Sequence, residues 1–399
     1  MIYEKLNVLS QQLPTPAYVF DSDLFARRAE LVRSAFGPKT GLCFSIKANP
    51  FLLGCLPKVF DKIEVCSPGE LTICEKLDMD MSMVIFSGVN KTARDVERAM
   101  SDNVGTFTAE SMLHLQLIND SALRQGKNAS LLLRLTGGSQ FGMDEEEVLS
   151  IIRNREQYPG VTIVGIHYFT GTQKRKTALI EKELSMVEAF VEKVDRELQF
   201  RLERVEYGTG LAVDYFVENA DETEEARLYA IAPAVRSLAE KVELTVEMGR
   251  FFAAPCGFHF TKVVDTKTCC GVRYAILDGG LNMLKYDGQI QGMQIPVITH
   301  IGKTEDSPEK WTLCGSLCTT ADVLARNAEF SGIKTGDILV FHRTGAYSVM
   351  EGMSVFLSRE MPTVALYSEG VGLKIVRRQI NTDLFNTPQL SDESIGATL

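Results

Sequence analysis

Eight short β-rich runs alternate with helical stretches over the first 255 residues, and this rhythm strongly limits what the chain can fold into. The runs are Leu42 to Ala48, Ile63 to Ser67, Met83 to Gly88, Gly105 to Ala109, Ser130 to Leu135, Val161 to Phe169, Arg204 to Gly208 and Leu244 to Gly249. Helical periodicity occupies Glu70 to Leu77, Ala93 to Met100, Ser111 to Arg124, Glu145 to Arg155, Thr177 to Leu198 and Glu222 to Leu238. Asp21 to Phe36 supplies one more helix ahead of the first run. A strand–helix unit repeated eight times over ~220 residues points to an α/β fold, a parallel (β/α)8 TIM-type barrel. The rival is a doubly wound open sheet in which one weak strand inflates the count.

After Pro255 the texture changes. Phe258 to Val264, Tyr274 to Leu277, Ile295 to Ile301, Lys310 to Leu313, Asp337 to Phe341 and Thr363 to Tyr367 read as strands punctuated by glycines, with few long helices. This predicts a C-terminal β-rich domain. Thr15 to Phe20 is also strand-like and is expected to join it, so the boundaries fall at 26–255 for the barrel and at 1–25 with 256–399 for the β-domain. The tail after Asn381 is polar.

Composition bounds the function. The 399 residues carry a net charge of −10, which argues against nucleic acid or an anionic membrane as a partner. No apolar run approaches the ~18–20 residues of a membrane span, and Met1 to Leu13 lacks a signal-peptide core. Nine cysteines without a C-x-x-C pair predict neither a metal site nor a disulfide framework, and a reducing cytoplasm is the expected setting.

Catalytic groups of such barrels sit at the C-terminal ends of the strands. Those ends hold Lys47, Glu64 to Ser67, His167 to Thr172, Gly208 to Gly210 and Glu247 to Arg250. Lys47 stands in an apolar run; a lysine there either reaches the rim or is tuned for Schiff-base chemistry with a carbonyl. Gly208-Thr209-Gly210 is either a tight turn or a backbone approach to phosphate. Glu247-Met-Gly-Arg250 is either a structural ion pair or a carboxylate for a ring nitrogen beside a guanidinium for phosphate. Together these groups fit pyridoxal phosphate.

Several motifs follow one another in order along nearly the whole chain. They are PTPAYVFD (Pro14 to Asp21), FSIKANP (Phe44 to Pro50), EVCSPGEL (Glu64 to Leu71), GIHYFTGTQ (Gly165 to Gln173), EYGTG, EMGR, CGSLCTTADVL (Cys314 to Leu324) and GAYS (Gly345 to Ser348). On these the chain resembles the barrel-type pyridoxal-phosphate decarboxylases of alanine racemase-like fold, the group that holds diaminopimelate and ornithine/arginine decarboxylases. The resemblance implies a carboxy-lyase in which Lys47 bonds the cofactor and Glu247 pairs with its pyridine nitrogen. It implies Thr172, Gly208, Gly210, Gly249, Arg250 and Tyr347 around the phosphate, with Glu64, His167 and Phe169 also at the cofactor. Cys318, entering from a partner subunit of a homodimer, would be the acid, and Thr319 and Asp322 would meet the substrate.

Three departures stand out. Phe169 occupies the position where the family usually stacks a His on the ring, with His167 two residues earlier on the same side of the strand. Thr319 follows Cys318 where diamine-type enzymes carry an acid for the distal ammonium. Leu281 to Ile290 contains Lys285 but no Arg-Pro pair. With QFGMDE (Gln140 to Glu145), these features resemble decarboxylases that act on glutamate tethered to an acyl carrier protein. A carrier-bound substrate without a distal ammonium is therefore the leading expectation. The alternatives are a diaminopimelate or other basic amino-acid decarboxylase, a racemase, or an inactive regulatory homologue.

Overall fold

The computed structural model describes residues 2–302 and 304–388. The last residues of the polar tail, 389–399, lie outside the described residues. The chain divides into two compact units, Met1–Phe20 with Phe258–Leu399, and Asp21–Gly257. The first opens with helix α1 (Leu6–Gln12) and strand β1 (Ala17–Asp21).

In the second unit, α2 (Ser22–Phe36) precedes eight strands: β2 (Gly41–Ser45), β3 (Lys62–Val65), β4 (Val84–Phe86), β5 (Thr106–Ala109), β6 (Ala129–Leu135), β7 (Val161–Tyr168), β8 (Arg204–Gly208) and β9 (Glu243–Met248). They pair in parallel in sequence order, and β9 returns to β2 through Cys43 and Glu247 to close the barrel. The open-sheet rival is thereby excluded. Between them run α3 (Pro68–Lys76), α4 (Ala93–Ser101), α5 (Met112–Arg124), α6 (Glu145–Arg153), α7 (Thr177–Leu198) and α8 (Ala220–Ala239).

Local chemistry starts these helices where the strands stop. Ser67 accepts from the Glu70 N–H at 3.1 Å ahead of Pro68, whose fixed φ suits a first turn. Thr92 and Asp95 form a capping box for α4. Beneath α2 a cluster of Phe25, Phe44, Phe60 and Phe252 packs with ring centroids 4.8–6.5 Å apart. Burying each such ring is worth roughly 1.5–3 kcal/mol.

One local expectation changes. The run Leu42 to Ala48 is not strand throughout: β2 ends at Ser45, and Ile46–Ala48 forms a single 3-10 turn. The cause lies just beyond, where Asn49 precedes Pro50 and is held extended at φ −166°, its side chain capping the next turn at Phe51 N. Lys47 therefore sits on a turn above the strand.

Helix α9 (Arg250–Ala253) lies at the end of the barrel unit, and the other unit continues with β10 (Gly257–Cys269), β11 (Val272–Leu277), β12 (Ile298–Ile301), β13 (Glu309–Cys314), β14 (Val323–Phe330), β15 (Ile338–His342), α10 (Ser348–Glu351), β16 (Thr363–Ser368) and β17 (Gly372–Arg377). The sheet order is β14-β13-β11-β10-β1-β16-β17, with β15 pairing both β10 and β12. Strands β14 and β17 are absent from the expected set. In β14 the alternation is broken where Asn327 takes φ +56° and the β13 register shifts, and β17 is mostly solvent-facing.

Candidate active site

The rim of the barrel gathers Lys47, Glu64, His167, Phe169 and Glu247 around one cavity of about 270 Å³. Lys47 Nζ lies 2.7 Å from Glu64 Oε2 and 3.4 Å from Glu247 Oε1. Both carboxylates are buried on strand ends, so the ammonium sits between two charges shielded from water. Ser45 Oγ also donates to Glu64 Oε2, and the Cys66 thiol donates to Glu64 Oε1 at 3.0 Å. His167 Nε2 is 3.2 Å from Glu247 Oε2. Burial works to raise the pKa of Glu247, but Lys47 and His167 outweigh it and hold the carboxyl well below its ordinary range. It is an ionised carboxylate at neutral pH.

Beside this set lies a cluster of residues missed from the sequence. Arg134 Nη1 donates to Glu110 Oε1 at 2.7 Å, its guanidinium carbon lies 4.8 Å from the centroid of the Phe141 ring, and all three line the same cavity. Lys91 donates to Gly88 O at 2.5 Å, and burial brings its pKa down to about 8. A lone cation in the apolar run Leu131 to Leu135 was the available signal for Arg134.

Arg250 Nε donates to Thr172 Oγ1 at 3.3 Å and its Nη1 to Tyr215 Oη at 2.8 Å. Tyr215 carries no sequence signal. The glycines nearby are there for space. A Cβ on Gly208 would come within 2.4 Å of the Phe169 ring, and one on Gly249 within 2.8 Å of Ala48 Cβ. Gly210 combines φ +60° with a 1.9 Å clash against Gly171 O.

These residues fit pyridoxal phosphate. They comprise a primary amine at a cavity, a carboxylate kept ionised for a ring nitrogen, an aromatic wall, and a guanidinium with a hydroxyl beside side-chain-free backbone. Lys47, Glu64, Glu247, Phe169, Thr172 and Arg250 would hold it.

Cys318, Thr319, Asp322 and Tyr347 belong to the β-rich unit. Cys318 and Thr319 are exposed and, with Asp322, line a groove of about 750 Å³ that also carries Asp265 and Asp278. Thr319 Oγ1 accepts from Ala321 N at 3.3 Å, a local turn. Asp322 is buried and holds the loop: its oxygens accept from Leu281 N and Leu317 N, each at 2.8 Å. Burial raises its pKa above the usual carboxylate range. Tyr347 has φ +60° at the start of α10.

Residues 22–254 match the family model "Pyridoxal-dependent decarboxylase, pyridoxal binding domain". The chain is 26% identical to a diaminopimelate decarboxylase from Aquifex aeolicus, covering 96% of this chain and 94% of that one. It is 25% identical to the L-glutamyl-[BtrI acyl-carrier protein] decarboxylase of Niallia circulans, covering 98% and 97%. The fold matches the crystal structure of diaminopimelate decarboxylase from M. jannaschii in complex with L-lysine, with a TM-score of 0.84, 23% identity, and 94% and 92% coverage.

The expectation of a glutamate substrate on a carrier protein is overturned here. Diaminopimelate decarboxylases predominate among these relatives, and the glutamyl-carrier enzyme is no nearer to the chain than they are. The expectation rested on Phe169, the missing Arg-Pro pair, QFGMDE and, above all, Thr319, on the argument that a distal ammonium requires an acid at that position. The groove supplies carboxylates elsewhere, at Asp265 and Asp278, so the threonine does not exclude an ammonium. With its barrel, its cofactor-fitting rim and a family match over more than half its length, the chain belongs to the pyridoxal-dependent decarboxylases and is a pyridoxal-phosphate-dependent carboxy-lyase.

Proposed function

We propose that this enzyme removes the α-carboxylate of a free diamino acid of the diaminopimelate, lysine and ornithine class. The observation that carries the reading is the Lys47 amine held between two buried carboxylates at the mouth of a closed barrel. Relatives named for diaminopimelate support the substrate class.

Pyridoxal phosphate, when bound, supplies an aldehyde that captures a primary amine and a ring that draws electrons from the substrate Cα. The chain's residues do the rest. Glu64 Oε2, 2.7 Å from Lys47 Nζ, accepts the proton that the ammonium must shed before it can act as a nucleophile. Glu247 stays ionised and would keep a proton on the ring nitrogen. Phe169 would cover one ring face. Arg250 and Thr172 would clamp the phosphate where Gly208, Gly210 and Gly249 leave room, with Tyr347 as a further contact. His167 supports Glu247.

Protonation of Cα after CO2 leaves would fall to Cys318, because a thiol is a competent acid near neutral pH. We propose a homodimer in which the partner subunit's Cys318 serves each Lys47 site. Asp265 and Asp278 would take the distal ammonium, and Thr319 would flank it. Nine free cysteines suit a reducing compartment, and we propose a cytoplasmic location. No helix among the described residues is long and apolar enough to cross a membrane.

The test is CO2 release by the holoenzyme from meso-diaminopimelate, L-lysine and L-ornithine, set against L-glutamate. At least one diamino acid is expected to exceed glutamate in kcat/KM by about 10⁴-fold, because a carboxylate without its ammonium is left unpaired. Glutamate matching or exceeding all three overturns the substrate class.

A further inference from the structure

A carboxyl side chain that the mechanism does not use lies in the wall of the barrel. Glu206, on β8, is 1% exposed and is the register partner of His167 on β7 and of Thr245 on β9. Paired residues of parallel strands point to the same face, so Glu206 and His167 share the barrel interior. Among the described residues, neither oxygen of Glu206 has a hydrogen-bond partner, and neither does His167 Nδ1. These are three buried polar atoms without partners on two adjacent strands.

An ionised carboxylate in that position would be compensated only by the Cys43 thiol and by Lys47, and would face Glu64 and Glu247 across the same interior. Lys47 is the cation directed at it, and it is already held by those two acids. Cys43 from β2 also faces Glu206, with its thiol pushed up by burial. Burial first, then Glu247 and Glu64, raise the Glu206 carboxyl well above its ordinary range. The shift favours the protonated carboxyl, the form that can donate.

His167 supplies the complement. Glu247 is ionised and can only accept, so the proton between them resides on His167 Nε2. With its proton on Nε2 alone, the ring presents Nδ1 as a lone-pair acceptor that needs a donor. Arg134, the register partner of His167 on β6, sends Nη1 to Glu110 and lays its guanidinium over Phe141, although its Nε also has no partner among the described residues. Glu206 is the carboxyl on the other adjacent strand, with both oxygens unpartnered.

We propose that Glu206 is a positioning residue: its protonated carboxyl donates to His167 Nδ1, directly or across one water, and so fixes the Nε2–H tautomer that donates to Glu247. The effect is to deliver a neutral hydrogen-bond donor to the carboxylate that would face the pyridine nitrogen. A protonated histidine there would weaken the hold of Glu247 on the ring proton. This rests on the assignment of Glu247 to the ring nitrogen.

The experiment is infrared difference spectroscopy of the holoenzyme, wild type against Glu206→Gln, joined to ¹⁵N NMR of histidine-labelled holoenzyme. A C=O stretch of a protonated carboxyl, shifted in D2O, should persist across neutral pH in the wild type and be lost in Glu206→Gln. The Nε2–H tautomer of His167 should survive in Glu206→Gln, whose amide still donates, and be disturbed in Glu206→Leu. A wild type without the band, or with a band that Glu206→Gln retains, overturns the proposal. An unchanged His167 tautomer in folded Glu206→Leu also overturns it, with Arg134 as the donor instead. If Glu206→Leu fails to fold, the band comparison still decides. The band reports Glu206 alone, whereas unaltered cofactor absorbance in Glu247→Ala would mark failure of the ring-nitrogen assignment.

Discussion

The barrel rim around Lys47 and the groove around Cys318 treat charge in opposite ways. At the rim the charged groups around Lys47 are paired: Lys47 with the buried Glu64 and Glu247, and Arg134 with Glu110. In the groove Cys318 and Thr319 are exposed, and the one deeply buried acid, Asp322, is occupied by backbone N–H groups. The rim is preorganised, with geometry and protonation set before any ligand arrives. The groove presents a thiol and a hydroxyl on a surface loop, the kind of segment where substitution is tolerated. On the proposed function, chemistry would belong to the first region and substrate choice to the second.

Substitutions at the two regions should differ in size. Lys47→Ala should lower kcat by about 10³-fold or more, in the range for losing a positioned proton-transferring group; CO2 release under saturating substrate measures it, and retention of a tenth of the activity would break the assignment. Glu247→Ala should lower kcat by about 10²-fold and shift the visible absorbance of the bound cofactor. Cys318→Ala, in the groove, should slow product formation by about tenfold or divert it toward decarboxylative transamination, in which the proton goes to the cofactor instead of Cα and the substrate leaves as an aldehyde. An unchanged rate and product ratio, followed by chromatography, would reject its role as the acid.

The smallest effect concerns stability. Burial in the folded barrel raises the Glu206 carboxyl well above the ordinary carboxylate value at which it ionises in the unfolded chain. Its contribution is therefore full at low pH and is lost as pH rises toward the raised native value. Above about pH 5 the wild type should lose about 1.4 kcal/mol per pH unit relative to Glu206→Gln. Urea titrations at several pH values measure this, and parallel stability–pH curves for the two proteins would contradict it.

What the residues disclosed by themselves follows the same division. The eight barrel strands are buried on both faces and separated by capped helices, so their positions were readable to within a few residues, and reading their ends located Lys47, Glu64, His167 and Glu247. The 3-10 turn that carries Lys47 was not readable, because Asn49 and Pro50 reshape the chain only after an unbroken apolar run. Glu206 was hidden for a different reason. A single acid in Val205-Glu-Tyr-Gly looks like the solvent-facing residue of an alternating strand, and only the closed barrel turns that face inward. Strand β14 was obscured by Arg326 and Asn327, and the substrate reading failed because one position, Thr319, stood for a groove whose other acids are distant in sequence.

Two lysines, half-buried Lys47 and buried Lys91, stand near the barrel mouth with different partners. Lys47 is held by Glu64 and Glu247, while Lys91 donates to the Gly88 carbonyl and has its pKa brought down to about 8 by burial. Both are chemically able to bond an aldehyde. Borohydride reduction of the holoenzyme, followed by digestion and mass spectrometry, identifies the lysine that carries the cofactor. Pyridoxyl modification at Lys47 is the predicted result, and modification at Lys91, or at neither, would contradict the assignment of the active site.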